Sequence, residues 1–341
     1  VTAGTLSTLI PEDEKYTITT LKVVGPLNGD DIRFIREMAG RDVSGNETEG
    51  KLVDLDMSEA SIVEGGGDYY EDYNTQNNII GENMFELTTL KSIKLPMNIT
   101  KIGWFAFSGC SSLLEVNIPI GVTEIGISAF SGCSSLTNVL IPDGVIEILP
   151  AAFEDCSALC DVNIPNSITK ISESTFSGCS SLISIVIPSG VTSVGDYSFE
   201  GCSSLVSFTF PEDLVSIGNF AFYGCNSLKN IILSNSVVSI GISAFSQCSL
   251  LEGIVMGDSV MTIGDGAFSF CSSLASINIP DGITSIGNAA FYHCSSLESL
   301  NLPDGVTSIG DEAFFSCSSL TSINIPNGVT TIGIRAFSDC N

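Results

Sequence analysis

Phenylalanine recurs every 23 residues, with no insertion or deletion, at Phe107, Phe130, Phe153, Phe176, Phe199, Phe222, Phe245, Phe268, Phe291, Phe314 and Phe337. A cysteine follows each by three residues, from Cys110 to Cys340. Proline keeps the same step from Pro96 to Pro211 and again from Pro280 to Pro326, with Ser234 and Gly257 in its place between. An ordinary globular core does not hold one register through eleven consecutive segments. A stack of equivalent coils does, because each coil can bury its apolar face only against the next.

One coil can be read from Leu297 to Cys317. In Leu297-Glu298-Ser299-Leu300-Asn301-Leu302-Pro303 apolar residues take positions one, four and six. The alternation predicts a short strand with Leu300 and Leu302 pointing inward and Asn301 outward. Pro303 ends the strand because it has no N–H to give to a ladder. Asp304-Gly305 forms a turn, and Val306 and Ile309 return inward on a second short extended segment. Gly310 permits a bend. Ala313, Phe314 and Cys317 close the coil, with one turn of helix expected over the short stretch from Asp311 to Ser316.

Eleven of the twelve cysteines belong to the ladder. Stacked neighbours would place Cα atoms about 5 Å apart, within reach of a disulfide. Identical positions in successive coils point the same way, however, which is poor bonding geometry, and an odd number cannot pair completely. Metal ligands would have to converge, whereas a ladder spreads them along a line. Buried reduced thiols are the expectation. Cys160 stands outside the ladder at strand position two, where it should face solvent with no basic neighbour to activate it.

Before Pro96 the exact period fails, and residues 1–100 hold 18 of the 39 acidic and eight of the 12 basic residues. Leu21-Lys22-Val23-Val24, the run from Leu52 to Met57, and Leu90-Lys91-Ser92-Ile93-Lys94-Leu95 echo the repeat strand at spacings of 31 and 38 and should extend the same sheet. Between the first two, Ile32, Ile35 and Ala39 share one helical face, with Asn28 or Asp30 as N-cap and Gly40 beyond the end. Residues 61–78 read as a long loop folded over the first coils. Its acidic residues match no calcium-loop spacing, so a solvated loop is favoured over a Ca²⁺ site. The division predicted is a capping region at 1–78 and a repeat array at 79–341.

The formal charge of -27 disfavours partners recognised through phosphates, nucleic acid and anionic lipid alike. From residue 101 onward the only bases are Lys101, Lys170, Lys229 and Arg335, so no basic stripe can form. No apolar run approaches the roughly 18 residues that cross a bilayer. The chain starts at Val1 without a leader-like segment, so any signal peptide is expected to have been removed or to lie outside this sequence, which does not itself report export. The sequence stops at Asn341, immediately after Cys340, so the apolar edge of the last coil is expected to be covered by a continuation of the natural protein or by another chain, or simply tolerated.

Residues 303–320 resemble the consensus of the 23-residue BspA-like class of bacterial leucine-rich repeats, Ile-Pro-Asp-Gly-Val-Thr-Ser-Ile-Gly-Asp-x-Ala-Phe-x-x-Cys-Ser-Ser-Leu. The likeness extends over about residues 79–341, and the entry segment from Gly25 to Arg33 looks like that of such proteins from gut or oral anaerobes. It implies an α/β repeat solenoid. That fold is a leucine-rich-repeat right-handed superhelix with a parallel β-sheet, short second strands and turns on the other face, and little helix beyond an N-terminal cap. It also implies export, display on the bacterial cell surface or secretion, a possible lipid anchor upstream of Val1, and adhesion to host or neighbouring-cell proteins. No functional residue carries over from the family. The departures are Leu149 and Ser172 for the bend glycine, and Ser234 and Gly257 for the strand-ending proline.

The only histidine, His293, lies in the variable turn beside Cys294, and its counterparts Gly109, Gly178 and Phe270 mark it as a surface turn residue. The recurring glycines do not make a phosphate loop, and carboxylates such as Asp304 and Asp311 are turn formers. No catalytic, cofactor or metal site is expected. Exposed strand positions vary from coil to coil, and in the middle coils they are apolar: Leu140, Ile183, Val186, Val206, Ile232 and Val255, flanked by Thr209 and Asn230. At the ends the same row carries Asn117, Asn163, Asn278, Asn301 and Asn324. An apolar row on an acidic protein points to capture of a protein or glycan through the concave sheet. Ordinary β-propensity on a sheet face is the competing explanation. A spacer that displays another domain and binds nothing itself is the alternative function.

Overall fold

A computed structural model describes residues 1–340. The chain is a parallel-strand β-solenoid of about eleven turns with very little helix. It comprises two compact units, Val1–Ser167 and Ile168–Asn341.

Each coil contributes two short strands that pair only with the equivalent strands of adjoining coils. In the second unit the Ser193–Val194, Ser216–Ile217, Ser239–Ile240 and Thr262–Ile263 strands pair in parallel with a shift of one coil. On the other side of the coil Asn230–Ile232 pairs with Gly253–Val255, setting Asn230 against Gly253, Ile231 against Ile254 and Ile232 against Val255. Alternation follows from this register: Ile231 and Leu233 are buried while Ile232 is exposed.

The predicted inward positions are inward. Leu300, Leu302, Val306, Ile309, Ala313, Phe314 and Cys317 are all buried, and Asn301 is exposed. The aromatic ladder is a column of parallel rings. In the second unit ring centroids from Phe176 to Phe337 step by 5.2 to 5.8 Å. In the first unit the column begins one coil before the exact period, at Phe85, and continues through Phe107, Phe130 and Phe153. Burying each ring contributes roughly 1.5–3 kcal/mol, with up to about 1.5 kcal/mol more from each stacked pair. Phe208 and Phe210 add edge-on contacts to Phe222 in the middle of the second unit.

The turn from Asp311 to Ser316 is not a turn of helix. Glu312 and Ser316 have φ of 55° and 56°, and the same two left-handed positions recur in every coil, for example at Tyr197 and Gly201. Two residues on the left-handed side within five break any helical run. Phe314 nevertheless reaches the centre because the intervening backbone is held by the next coil: its N–H donates to Ala336 O at 2.8 Å.

The bend glycine acts through proximity, not through positive φ. A Cβ on Gly310 would lie 2.6 Å from Asn288 N, and one on Gly241 would lie 2.5 Å from both Asn219 N and Gly218 C. Coils stack closely enough there that only a hydrogen fits. Leu149 and Ser172 replace this glycine, and the division between the two compact units falls between them.

The first hundred residues extend the sheet as expected, in the strand order Thr20–Leu27, Asp54–Ile62, Ser92–Lys94 and Glu115–Asn117. The first register differs from expectation: Leu21 faces Leu55, not Leu52, whereas Leu55 faces Ile93 at the expected step of 38. The helix runs from Gly29 to Met38, with Asn28 as N-cap in a reciprocal capping box with Asp31. Gly40 follows it at φ 91°.

The loop begins after Ile62 and docks on the helix, where Gly29 N donates to Gly65 O at 2.9 Å and Gly67 N to Asp30 Oδ1 at 3.2 Å. Arg36 lies fully buried beneath it, a feature the sequence did not disclose. Its Nη1 donates to the carbonyls of Asn83 and Met84 at 2.8 and 2.9 Å, and its guanidinium lies 4.5 Å from the Tyr70 ring centroid. Nε and Nη2 have no partner, and burial lowers its pKa.

Candidate binding surface

The eight residues singled out from the sequence are all exposed. Seven of them, from Ile183 to Val255, lie on the first-strand side of the second unit. Val206 N donates to Ile183 O at 3.0 Å, and Ser184–Ile185 pairs with Ser207–Phe208. This register carries Val186 to the position beside Thr209. The Ser207–Phe208 strand adjoins Asn230–Ile232, whose Ile232 faces Val255. Exposure reaches 82% for Val186, 72% for Ile232 and 56% for Val255, so these side chains are not part of the core. Leu140 is 76% exposed on the corresponding strand face of the first unit, where it shares a shallow groove with Asn138 and Cys160.

The asparagines of the same row have a different task. Asn163 Oδ1 accepts from Ile141 N and its Nδ2 donates to Ile141 O, both at 2.8 Å. Asn278 makes the same double contact with Met256, and Asn117 Oδ1 accepts from Leu95 N at 2.7 Å. A carboxamide carries the donor and acceptor of a peptide group, so it continues the ladder by one rung where the strand ends. A polar residue at this position signalled solvent exposure in the sequence, and its spacing held no sign of this backbone pairing.

The thiols of the ladder are buried except the half-buried Cys340, and those from Cys202 onward donate to a carbonyl one coil back. In the second unit Cys202, Cys225, Cys248, Cys271, Cys294 and Cys317 reach the oxygen of the phenylalanine 26 residues earlier at 3.1 to 3.2 Å. Burial pushes the thiols of Cys202 and Cys271 up to about 12. They are therefore poor nucleophiles and poor ligands at neutral pH. Cys160 is exposed, with Thr137 O 3.3 Å from its Sγ.

His293 sits in the surface turn as expected, with its ring parallel to Phe270 at 5.1 Å and edge-on to Tyr292 at 4.5 Å. No serine or cysteine hydrogen bonds to its side chain among the described residues. Nor do three His, Cys, Asp or Glu side chains converge to hold a metal ion there or elsewhere. A concavity of about 1040 Å³ lies beside the cap loop between Tyr69, Tyr73, Glu64 and Lys101. Among the described residues no helix is long and apolar enough to cross a membrane.

Parallel strands shared between 23-residue coils, with leucine at position one, other apolar residues at four and six, and asparagine rungs at the strand end of some coils, define a leucine-rich-repeat solenoid. The chain belongs to the BspA type leucine rich repeat region family, which matches residues 78–205, 169–295 and 251–341 in six copies. It is similar to a leucine-rich repeat protein of Bacteroides ovatus, with 32% identity over 80% of this chain and 82% of that one and a TM-score of 0.58. A leucine rich cell surface protein of Faecalibacterium prausnitzii shares 32% identity over 82% and 83% of the two chains, with a TM-score of 0.56. A leucine-rich repeat protein of Eubacterium ventriosum shares the fold at 20% identity, covering 93% of this chain and 88% of that one, with a TM-score of 0.57. Among curated proteins none matches.

Proposed function

We propose that this chain is a non-enzymatic recognition scaffold of the bacterial cell surface, displayed or secreted, that holds a protein partner against the first-strand face of its coils. The observation that carries the proposal is the apolar row in the second unit. Val186, Ile232 and Val255 expose large branched side chains to water on a protein of net charge -27. Exposed apolar area of this kind stabilises an interface when a partner covers it and contributes nothing to the core. Thr209 and Asn230 supply hydrogen-bonding groups at its margin. The family and the printed description of the Faecalibacterium relative as a cell surface protein support the location. A lipid anchor would complete surface display, and a glycan on the partner would meet the same face.

Immobilised chain exposed to host-cell and bacterial envelope extracts tests the reading. Recognition predicts saturable capture that falls at least about tenfold, or 1.4 kcal/mol, when Ile183 and Val206 are both replaced by Ser. No capture, or capture indifferent to those replacements, favours a spacer that displays a neighbouring domain. The asparagine rungs at Asn163 and Asn278, which serve the fold and not a ligand, are the observation on the spacer's side.

A further inference from the structure

The second left-handed position of the coil is glycine at Gly109, Gly132, Gly178, Gly201 and Gly224. A side chain there costs about 1–2 kcal/mol, because Cβ crowds the following carbonyl oxygen, and a bulky residue has no local hydrogen bond to offset it. Two successive coils of the second unit nevertheless place rings at this position: Phe270 at φ 60° and His293 at φ 58°. Neither ring serves the core, since Phe268 and Phe291 already fill that place. Phe270 stays 44% exposed although His293 stacks on it at 5.1 Å and Tyr292 meets it edge-on at 5.3 Å. Strained backbone that holds an aromatic surface in water is a mark of a binding site.

Beside the rings runs a shallow groove of about 370 Å³, walled by Phe270 and His293 and lined by the amides of Asn226 and Gln247 and the hydroxyls of Ser249 and Ser272. Tyr223 holds the Gln247 amide at 2.5 Å, and Ser272 Oγ donates to Ser249 O at 3.3 Å, so that amide and that hydroxyl are held in place. No carboxylate, lysine or arginine lines the groove, on a chain with 39 acidic residues. Aromatic walls with fixed amides and hydroxyls suit a ligand that has an apolar C–H face and a rim of hydroxyl groups, with no charge. A nucleotide also stacks on rings, but its phosphates would approach a strongly acidic protein with no basic residue at hand.

We propose that this turn-side groove binds a neutral saccharide, with a pyranose face against Phe270 and its hydroxyls on Asn226, Gln247 and Ser249. The site is separate from the first-strand row and does not depend on it. The test is an array of neutral glucose-, galactose- and mannose-based oligosaccharides probed with the full chain, followed by titration of the strongest binder. Phe270→Gly should weaken binding at least about tenfold in Kd, or 1.4 kcal/mol. It should leave the melting temperature unchanged or raised, because glycine is at ease at this φ. Asn226→Ala, at an exposed side chain, should weaken binding several-fold without touching stability. The Val186→Ser, Ile232→Ser double variant should bind the saccharide like the parent. The proposal is overturned if no array member binds, or if Phe270→Gly binds as tightly as the parent. If Phe270→Gly lowers stability, Asn226→Ala decides, and its unchanged binding would mean that the rings only clamp neighbouring coils.

Discussion

Cys225 Sγ donates to the carbonyl oxygen of Phe199, one coil and three residues earlier, at 3.2 Å. The contact joins the two ladders of the sequence into one device. The ring of one coil fills the centre, and its backbone carbonyl, which already accepts from the Cys202 N–H of its own turn at 3.2 Å, takes a second hydrogen bond from the thiol of the next. Serine would offer a stronger donor but costs more to bury, and alanine would remove the coil-to-coil hydrogen bond while leaving the oxygen its backbone donor.

Alkaline pH should dismantle the stack. Burial raises the thiols of Cys156, Cys202 and Cys271 to about 12 and that of Cys110 to about 11. In the unfolded chain they ionise near 8.5. Folded-state values above unfolded ones give stability that is complete below the unfolded pKa and declines as pH rises toward the folded one. Each thiol therefore withdraws about 1.4 kcal/mol per pH unit across that window. Urea midpoints at about pH 8 and about pH 10.5 should differ sharply, and a variant with Cys202 and Cys271 both changed to Ala should show a flatter dependence.

Phe222→Ala should cost about 3–5 kcal/mol. Its ring lies between Phe199 and Phe245 at 5.3 and 5.2 Å and takes edge contacts from Phe208 and Phe210, so no neighbour is free to close the cavity. Equilibrium denaturation followed by far-UV circular dichroism measures the loss, and a change below about 1 kcal/mol would mean that the column relaxes around a missing ring.

Gly241→Ala should destabilise by about 1–3 kcal/mol despite adding only a methyl group, because that methyl would meet the backbone of the preceding coil. Gly190→Ala is the control: nothing lies within 4 Å of a Cβ there. Thermal melting of both variants separates the effect of close stacking from that of glycine's flexibility.

Arg36→Ala should cost about 3 kcal/mol, since it empties a buried volume and removes the side-chain donor to the carbonyls of Asn83 and Met84, of which Asn83 keeps the Glu86 N–H. Because Tyr70 rests on the guanidinium, limited proteolysis should then cut between residues 63 and 78 several times faster, with the repeat coils left intact.

What the sequence made legible was whatever repeats. A period of 23 specified the strand positions, the buried ring and thiol, and the exposure of Ile232 and Val186, because in a stack burial depends only on place within the coil. Backbone devices were less visible. Glu312 and Ser316 adopt left-handed φ in a segment whose composition allows a helical turn, and Asn163 looks like a solvated residue until its partner Ile141 is located. In the cap, where no period operates, the Leu21–Leu55 register and the burial of Arg36 depended on loop docking that local pattern does not encode. The candidate surface was legible as exposure. The aromatic groove was not, because His293 looked like an ordinary turn residue until its φ and its stacking on Phe270 were known.

The interior holds the coils together, and the outer row is the surface proposed to meet a partner. Replacing Val186 and Ile232 together by Ser tests that separation, with thermal melting and partner capture measured on the same preparation. The account predicts a melting temperature within about a degree or two of the parent, as for surface replacements generally, and capture reduced at least about tenfold. A fall in melting temperature proportionate to the loss of capture would contradict it, because both residues would then belong to the core.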